Sequence, residues 1–246
     1  GRMNYCYASG VTSEVKDLFE MGLNQIKKVM PCLVFENVGN SAGVSYSVPD
    51  SEKACDTKGV FVQSGADGRA FSHVGMLLYS NNLLQIPSSN TAFGTVLHEI
   101  GHSLGMAHEQ SRPDRDSYLT IHWDNVKEGK EGNFEIWEGG YTGSSYDYLS
   151  VMHYSSHGFS ANGEATITTP EGLHDSDIGQ RVGFSQYDAD QLAAMYVVEN
   201  SSCTASQVDG QMGCNDKNPT CATLTSCSTS AHLDECCACG GGIQYR

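Results

Sequence analysis

The stretch that decides the fold is His98-Glu99-Ile100-Gly101-His102-Ser103-Leu104-Gly105-Met106-Ala107-His108. Two histidines four residues apart on a helix share a face, because four steps of a 3.6-residue helix nearly close a turn. Their imidazoles can bind one metal ion together. Glu99 points roughly 100° further around the axis, which suits a carboxylate that meets the water on the metal rather than the metal itself. If the helix continued, His108 would lie about 240° around from His102 and face away. Gly105 resolves this, because glycine tolerates a left-handed conformation that ends the helix and turns the chain back. Three nitrogen ligands with a fourth position left for water is the arrangement of a catalytic zinc, not a structural one.

Working outward toward the N-terminus, residues 91–103 read as the helix that carries these histidines, with Asn90 or Thr91 as its cap. Strand-like runs precede it at 33–37, 59–63, 73–79 and 83–86, separated by Gly, Ser, Asn and Asp. Val15, Leu18, Phe19, Leu23 and Ile26 recur at helical spacing after Thr12 and Ser13, and Pro31 stops the run. Residues 2–8 form a candidate first strand. The N-terminal half is therefore a twisted sheet packed on two helices, with the ligands at the end of the second.

Toward the C-terminus the pattern changes. Glu109-Gln-Ser-Arg112-Pro-Asp114-Arg115-Asp116 alternates in charge, and composition alone reads it as a solvated loop. The chain stays loop-rich to Gly143, then reaches Ser150-Val-Met152-His153-Tyr154. Downstream of a three-histidine motif this is the expected methionine turn, with Met152 as an apolar floor under the metal. Ser185-Gln-Tyr-Asp188 reads as an N-terminal capping box opening a last helix through Leu192, Met195, Tyr196 and Val198. The other histidines, at 73, 122, 153, 157, 174 and 232, lack ligand spacing with the motif and read as surface or hydrogen-bonding residues.

The chain has 246 residues, room for one large domain or a domain with a small appendage. Its 14 Lys+Arg against 29 Asp+Glu give a net charge of −15, which disfavours nucleic acid and anionic lipid as partners. No apolar run approaches the roughly eighteen residues of a membrane span. Ten cysteines in a chain that opens without a signal peptide point to the processed form of a secreted protein.

The run from His98 to Asp116, with Glu109, Arg112, Asp114 and Arg115-Asp116 in register, resembles the signature H-E-x-x-H-x-x-G-x-x-H-E-x-x-R-x-D-R-D of the astacin family of metzincins. Ser150-x-Met152-His153-Tyr154 resembles that family's methionine turn, and Ile178-Gly-Gln-Arg181 is also similar. The resemblance implies an α+β zincin-type protease of two subdomains with the cleft between them, over residues 1–203. It implies a secreted endopeptidase with one Zn2+ held by His98, His102 and His108, acting on protein or peptide substrates. A metal-activated water would perform the hydrolysis with Glu99 as general base. Tyr154 falls where similar enzymes place a tyrosine that ligates zinc at rest and swings off to hydrogen-bond the oxyanion. Arg181 falls in a segment that lines the pocket for the side chain just after the cut, where it would meet an acidic residue. An inhibitory propeptide in the precursor is expected on the same ground.

Two departures accompany the resemblance. In the family, Glu109 engages the amino group of the mature N-terminus; here Gly1 comes about a dozen residues later than that contact needs, so Glu109 requires another partner or water. Cys32 and Cys203 match a family disulfide, but the second common pair, near positions 65–90, is absent, which leaves Cys6–Cys55 as an alternative bridge. Residues 204–246 hold six cysteines within 26 residues, too dense for a protease core. Their opening Cys-Asn-Asp resembles a ShK-type toxin domain, although the ending Cys-Cys-Ala-Cys departs from it. A binding module or a passive disulfide cap both fit this tail. The alternative to an active enzyme is a non-catalytic binding protein on a protease scaffold, acting through the cysteine-rich tail.

Overall fold

The computed structural model describes residues 1–45, 54–65, 68–88, 91–170 and 178–196. Five strands form one sheet in the order β2-β1-β3-β5-β4. They are β1 (Arg2–Tyr7), β2 (Val34–Asn37), β3 (Val60–Gly65), β4 (Phe71–Ser72) and β5 (Asn82–Pro87). All pairings are parallel except the edge strand β4, which runs antiparallel to β5. Strands β3 and β5 are mostly buried on both faces, as parallel strands covered by helices are, with Val60, Phe61, Val62, Leu83, Leu84 and Ile86 in the core.

Helix α1 (Ser13–Val29) starts at Thr12, whose hydroxyl accepts the Val15 amide, and buries Val15, Phe19, Leu23 and Ile26. Helix α2 (Phe93–Ser103) carries His98, Glu99 and His102. The two helices cross closely at Gly22, where a Cβ would come within 2.5 Å of Ile100. Sheet and helices share one apolar core that includes Phe19, Phe61, Leu84, Leu97 and Ile100. Cys6 and Cys55 form the expected disulfide across this half. Cys32 is also disulfide-bonded, but Cys203, like Val198 and the whole tail 204–246, lies outside the described residues.

Two expectations for this half are corrected. Residues 73–79 are not a strand; the edge strand is Phe71–Ser72, and the apolar run after it is surface chain, with Met76, Leu78 and Tyr79 all more than 70% exposed. Gly75, at φ +66°, breaks the run, and its amide bonds the His102 carbonyl. Helix α2 begins at Phe93 with Ala92 as its cap and no side-chain hydrogen bond, because the Thr91 hydroxyl donates to the Pro87 carbonyl instead. Asn90 lies outside the described residues.

After Gly105 the chain runs through short 3-10 turns at Glu109–Ser111, Arg115–Ser117, Trp123–Asn125 and Glu131–Phe134. A two-stranded pairing of β6 (Thr120–Ile121) with β7 (Ile167–Thr168) is followed by α3 (Gln186–Tyr196). A smaller core forms around Leu119, Ile121, Phe134, Tyr146 and Ile167. The capping box of α3 is present: the Asp188 amide donates to Ser185 Oγ and the Ser185 amide to Asp188 Oδ2, each at 2.9 Å. The solvated-loop reading of residues 109–116 is overturned for its arginines: Arg112 and Arg115 are buried, at 3% and 4% exposure.

Candidate active site

The turn at Gly105 brings His108 to the two helical histidines. Gly105 takes φ +98°, its amide bonds the His102 carbonyl, and the Met106 amide bonds the Gly101 carbonyl. Those two bonds are the helix-ending Schellman pattern. As a result the ligand nitrogens of His98, His102 and His108 all lie within 4.8 Å of one another, with His102 Nε2 and His108 Nε2 3.1 Å apart. Two nitrogens on a tetrahedral zinc with bonds near 2.05 Å sit about 3.3 Å apart, so the cluster fits that ion.

The ring orientations are fixed from behind. His98 Nδ1 donates to the Val151 carbonyl and His102 Nδ1 to the Met106 carbonyl, both at 2.8 Å. Each bond selects the tautomer whose Nε2 lone pair faces the cluster. Burial, then the neighbouring histidines and Arg181, push His98 and His108 well below the usual imidazole range. Burial takes His102 down to about 4. Neutral imidazoles are the form that binds a metal.

Glu99 sits on α2 beside the cluster, 6% exposed. Burial raises its carboxyl to about 8, opposed by the Arg181 guanidinium. Met152 is buried directly under α2: a Cβ on Gly101 would come within 2.8 Å of its Sδ. Tyr154 lies tilted against His108 with ring centroids 4.5 Å apart, and burial together with the Glu99 charge moves its phenol up to about 12. The structure thus brings His98, Glu99, His102, His108, Met152 and Tyr154 into one place.

Arg181 lies in the same place. Its Nη1 donates to the carbonyls of Val151, His153 and Gln180 at 2.8–3.2 Å. Its chain segment packs so tightly on α2 that a Cβ on Gly94 would lie 1.9 Å from the Arg181 carbonyl oxygen. Glu109 finds the partner the sequence left open. Its Oε1 accepts from Arg112 Nη1 at 3.0 Å and from the Asp147 amide at 2.8 Å, while burial pushes its carboxyl up to about 7.

Sequence reasoning missed the acids that hold the methionine turn. Asp188, fully buried, accepts from Ser150 Oγ at 2.6 Å and from the Val151 amide at 3.0 Å. Asp147 bonds the Leu149 amide and Ser185 Oγ. Asp188 was visible as a capping residue, but nothing in its spacing told of a second set of partners 37 residues away. His153, read as a surface or hydrogen-bonding residue, is not at the surface: it is buried between the Tyr146 hydroxyl and the Tyr154 carbonyl.

A mostly parallel sheet backed by two helices, a three-histidine cluster turned at a glycine and a methionine turn beneath it define the metzincin class of metallopeptidase fold. The family model described as Astacin, a peptidase family, matches residues 1–197, and the chain belongs to that family. It is 43% identical over 129 residues to Protein SpAN of Strongylocentrotus purpuratus, covering 51% of this chain and 21% of that protein. It is 43% identical over 150 residues to meprin A subunit beta of Rattus norvegicus, covering 60% of this chain and 20% of that protein. The chain thus spans about a fifth of the length of these relatives. Among solved structures it is similar to high choriolytic enzyme 1, a hatching-enzyme zinc protease from Oryzias latipes. That similarity has a TM-score of 0.64 at 26% identity, over 79% of this chain and 88% of that one.

Proposed function

We propose that this chain carries the catalytic domain, residues 1–203, of a secreted zinc endopeptidase. The observation that carries the reading is the tautomer-fixed histidine cluster with Glu99 buried beside it and Tyr154 against it. His98, His102 and His108 would hold the ion through Nε2, with the Tyr154 oxygen as a further ligand at rest. When bound, zinc supplies a Lewis acid that polarises the scissile carbonyl and lowers the pKa of the attacking water toward about 7.

The remaining work belongs to side chains. Glu99 takes the proton of the attacking water and returns it to the leaving amine nitrogen, so one carboxylate serves as base and then as acid. Its position in a dry site makes that exchange feasible, since burial narrows the gap between its proton affinity and that of the water. The Tyr154 hydroxyl donates a hydrogen bond to the developing oxyanion. Met152 and Glu109 support the site from below. Arg181 would meet an acidic side chain just after the cut. A propeptide that covers the site in the precursor belongs to the same reading, and so does a binding or capping role for residues 204–246.

The test is cleavage of denatured casein by the zinc-loaded protein, with loss of cleavage in chelator and recovery on adding zinc. Glu99→Gln should keep its zinc and lose about 10²- to 10⁴-fold in turnover. Near wild-type cleavage by Glu99→Gln would overturn the general-base assignment. No cleavage by a zinc-loaded wild-type protein would return the reading to a binding protein on a protease scaffold. Profiling a peptide library tests Arg181, which predicts Asp or Glu just after the cut; an indifferent profile removes it.

A further inference from the structure

We propose that Phe159 is a positioning residue for Tyr154, its exposed ring forming a wall against which the tyrosine ring rests and turns. The inference deepens the role given to Tyr154 above and rests on it.

The first observation is a conformation. Phe159 has φ +54°, and every other residue with positive φ among those described is a glycine. A bulky L-residue there brings its Cβ against its own backbone, a clash that glycine avoids. The surroundings leave it no choice. Its carbonyl accepts the Lys127 amide at 2.9 Å, Ser160 bridges to Val126, and the Ala161 amide bonds the Asn125 carbonyl. On the other side Thr166 Oγ1 holds the Gly158 carbonyl. Strain persists only where neighbours over-determine it, and it concentrates at functional sites. The backbone here would accept glycine, so what the position uses is the aromatic ring.

The second observation is where that ring lies. Among the described residues three rings lie against Tyr154: His108 at 4.5 Å, Phe159 at 5.5 Å and Phe134 at 5.7 Å between centroids. Phe134 is fully buried and packs edge-on against both Tyr154 and Phe159. His108 is tied to the histidine cluster. Phe159 is 40% exposed, with Lys130 Nζ 5.9 Å from its ring centre. The Tyr154 backbone is pinned at both ends, its amide to Gln110 Oε1 and its carbonyl to His153 Nδ1. Only the side-chain torsions of Tyr154 remain, and of its ring walls among the described residues Phe134 is fully buried and His108 partly buried, while Phe159 is exposed.

Phe159→Gly relieves the backbone and removes the ring, so it separates positioning from folding. On casein-derived peptide, kcat should fall about tenfold, as small misplacements of a catalytic group do, with KM little changed, the sign of an interaction made in the transition state. The melting temperature should hold or rise, and zinc content should stay at wild-type level. Phe159→Tyr, which keeps the ring, should restore kcat. In the Tyr154→Phe background Phe159→Gly should cost nothing further, because its effect passes through the tyrosine hydroxyl. Tetranitromethane should nitrate Tyr154 faster in zinc-loaded Phe159→Gly than in wild type, a readout independent of turnover. Unchanged kcat with unchanged nitration, or a kcat loss that adds in full to that of Tyr154→Phe, overturns the proposal. If Tyr154→Phe alone leaves kcat intact, the reading of Tyr154 fails first and Phe159 falls with it.

Discussion

Up to Leu104 the chain buries Phe19, Leu23, Ile26, Leu97 and Ile100 between sheet and helices; after Gly105 it buries Arg112, Arg115, Asp147 and Asp188. The first half is regular structure around an apolar core. The second has short 3-10 turns, one two-residue strand pairing and one described helix. Apolar packing is non-directional and needs helices and sheets to organise it. Hydrogen bonds to charged groups are directional, so they can hold irregular chain at fixed distances without a repeating backbone. The site draws on both: α2 supplies His98, Glu99 and His102 from the apolar half, and the polar half delivers His108, Tyr154 and the Val151 carbonyl that orients His98.

The comparison predicts that one charge in the second half matters as much as a large core residue in the first. Arg112 makes five hydrogen bonds: to Glu109, twice to Asp114, and to the carbonyls of Ser144 and Ser145. Its side chain and that of Glu109 are 4% and 8% exposed. Arg112→Ala leaves a buried carboxyl without its guanidinium and should cost about 3–5 kcal/mol by urea denaturation. Phe19→Ala in the first half should cost a similar amount, about 3–5 kcal/mol. A loss below about 1 kcal/mol for Arg112→Ala, the range of an exposed ion pair, would break the comparison.

Cross-linking sharpens it from the other side. The Cys6–Cys55 bridge closes a separation of 49 residues inside the apolar half. Replacing both cysteines by alanine should cost about 2–4 kcal/mol, chiefly by freeing the unfolded chain. A negligible change in the urea midpoint would mean that the sheet and helices need no covalent help. Where the halves meet, Gly101→Ala should have a smaller effect, because the new Cβ meets the flexible ends of Met152, at 2.8 Å, and Met106, at 3.4 Å. Overpacking of about 1–3 kcal/mol is partly offset by up to about 1 kcal/mol of helix propensity. Competition with a chromogenic chelator should show weaker zinc binding, and unaltered affinity would show that Met152 can move without consequence.

The same division explains what the sequence could reveal. Helix α1, strands β1, β3 and β5 and the turn at Gly105 follow from periodicity and residue type, because local pattern and apolar burial agree there. The exposed run Met76–Tyr79 misled, since apolar residues on the surface give the same letters as a strand. Below Gly105 the letters carry little. Arg112 and Arg115 look solvated, and their burial depends on carbonyls at Ser144, Ser145 and Phe134, 19 to 33 residues away. The three histidines and Glu99 were legible because one helix and one turn set their spacing. Asp147 and Asp188 were not, because each bonds a partner 37 or 38 residues away, and the Phe159 wall was not, because its positive φ is held by residues 125–127 and not by its own neighbours in sequence.

The smallest effect tests the longest connection between the halves. Ser185 Oγ accepts the Asp188 amide at 2.9 Å and donates to Asp147. Asp188 in turn holds the Val151 amide, and the Val151 carbonyl receives both His98 Nδ1 and Arg181 Nη1. Ser185→Ala removes the cap of α3 and should lower stability by about 1 kcal/mol, with Ser185→Thr retaining most of it. Three hydrogen bonds separate the Ser185 hydroxyl from a candidate zinc ligand: Ser185 to Asp188, Asp188 to Val151, and Val151 to His98. If the polar half acts as one connected frame, Ser185→Ala should also raise the zinc dissociation constant, by less than about tenfold, since support behind a ligand contributes roughly 10- to 100-fold when removed outright. Zinc affinity that stays at the wild-type value while stability falls would mean that α2 alone orients His98. The apolar half would then hold its two histidines without help from below.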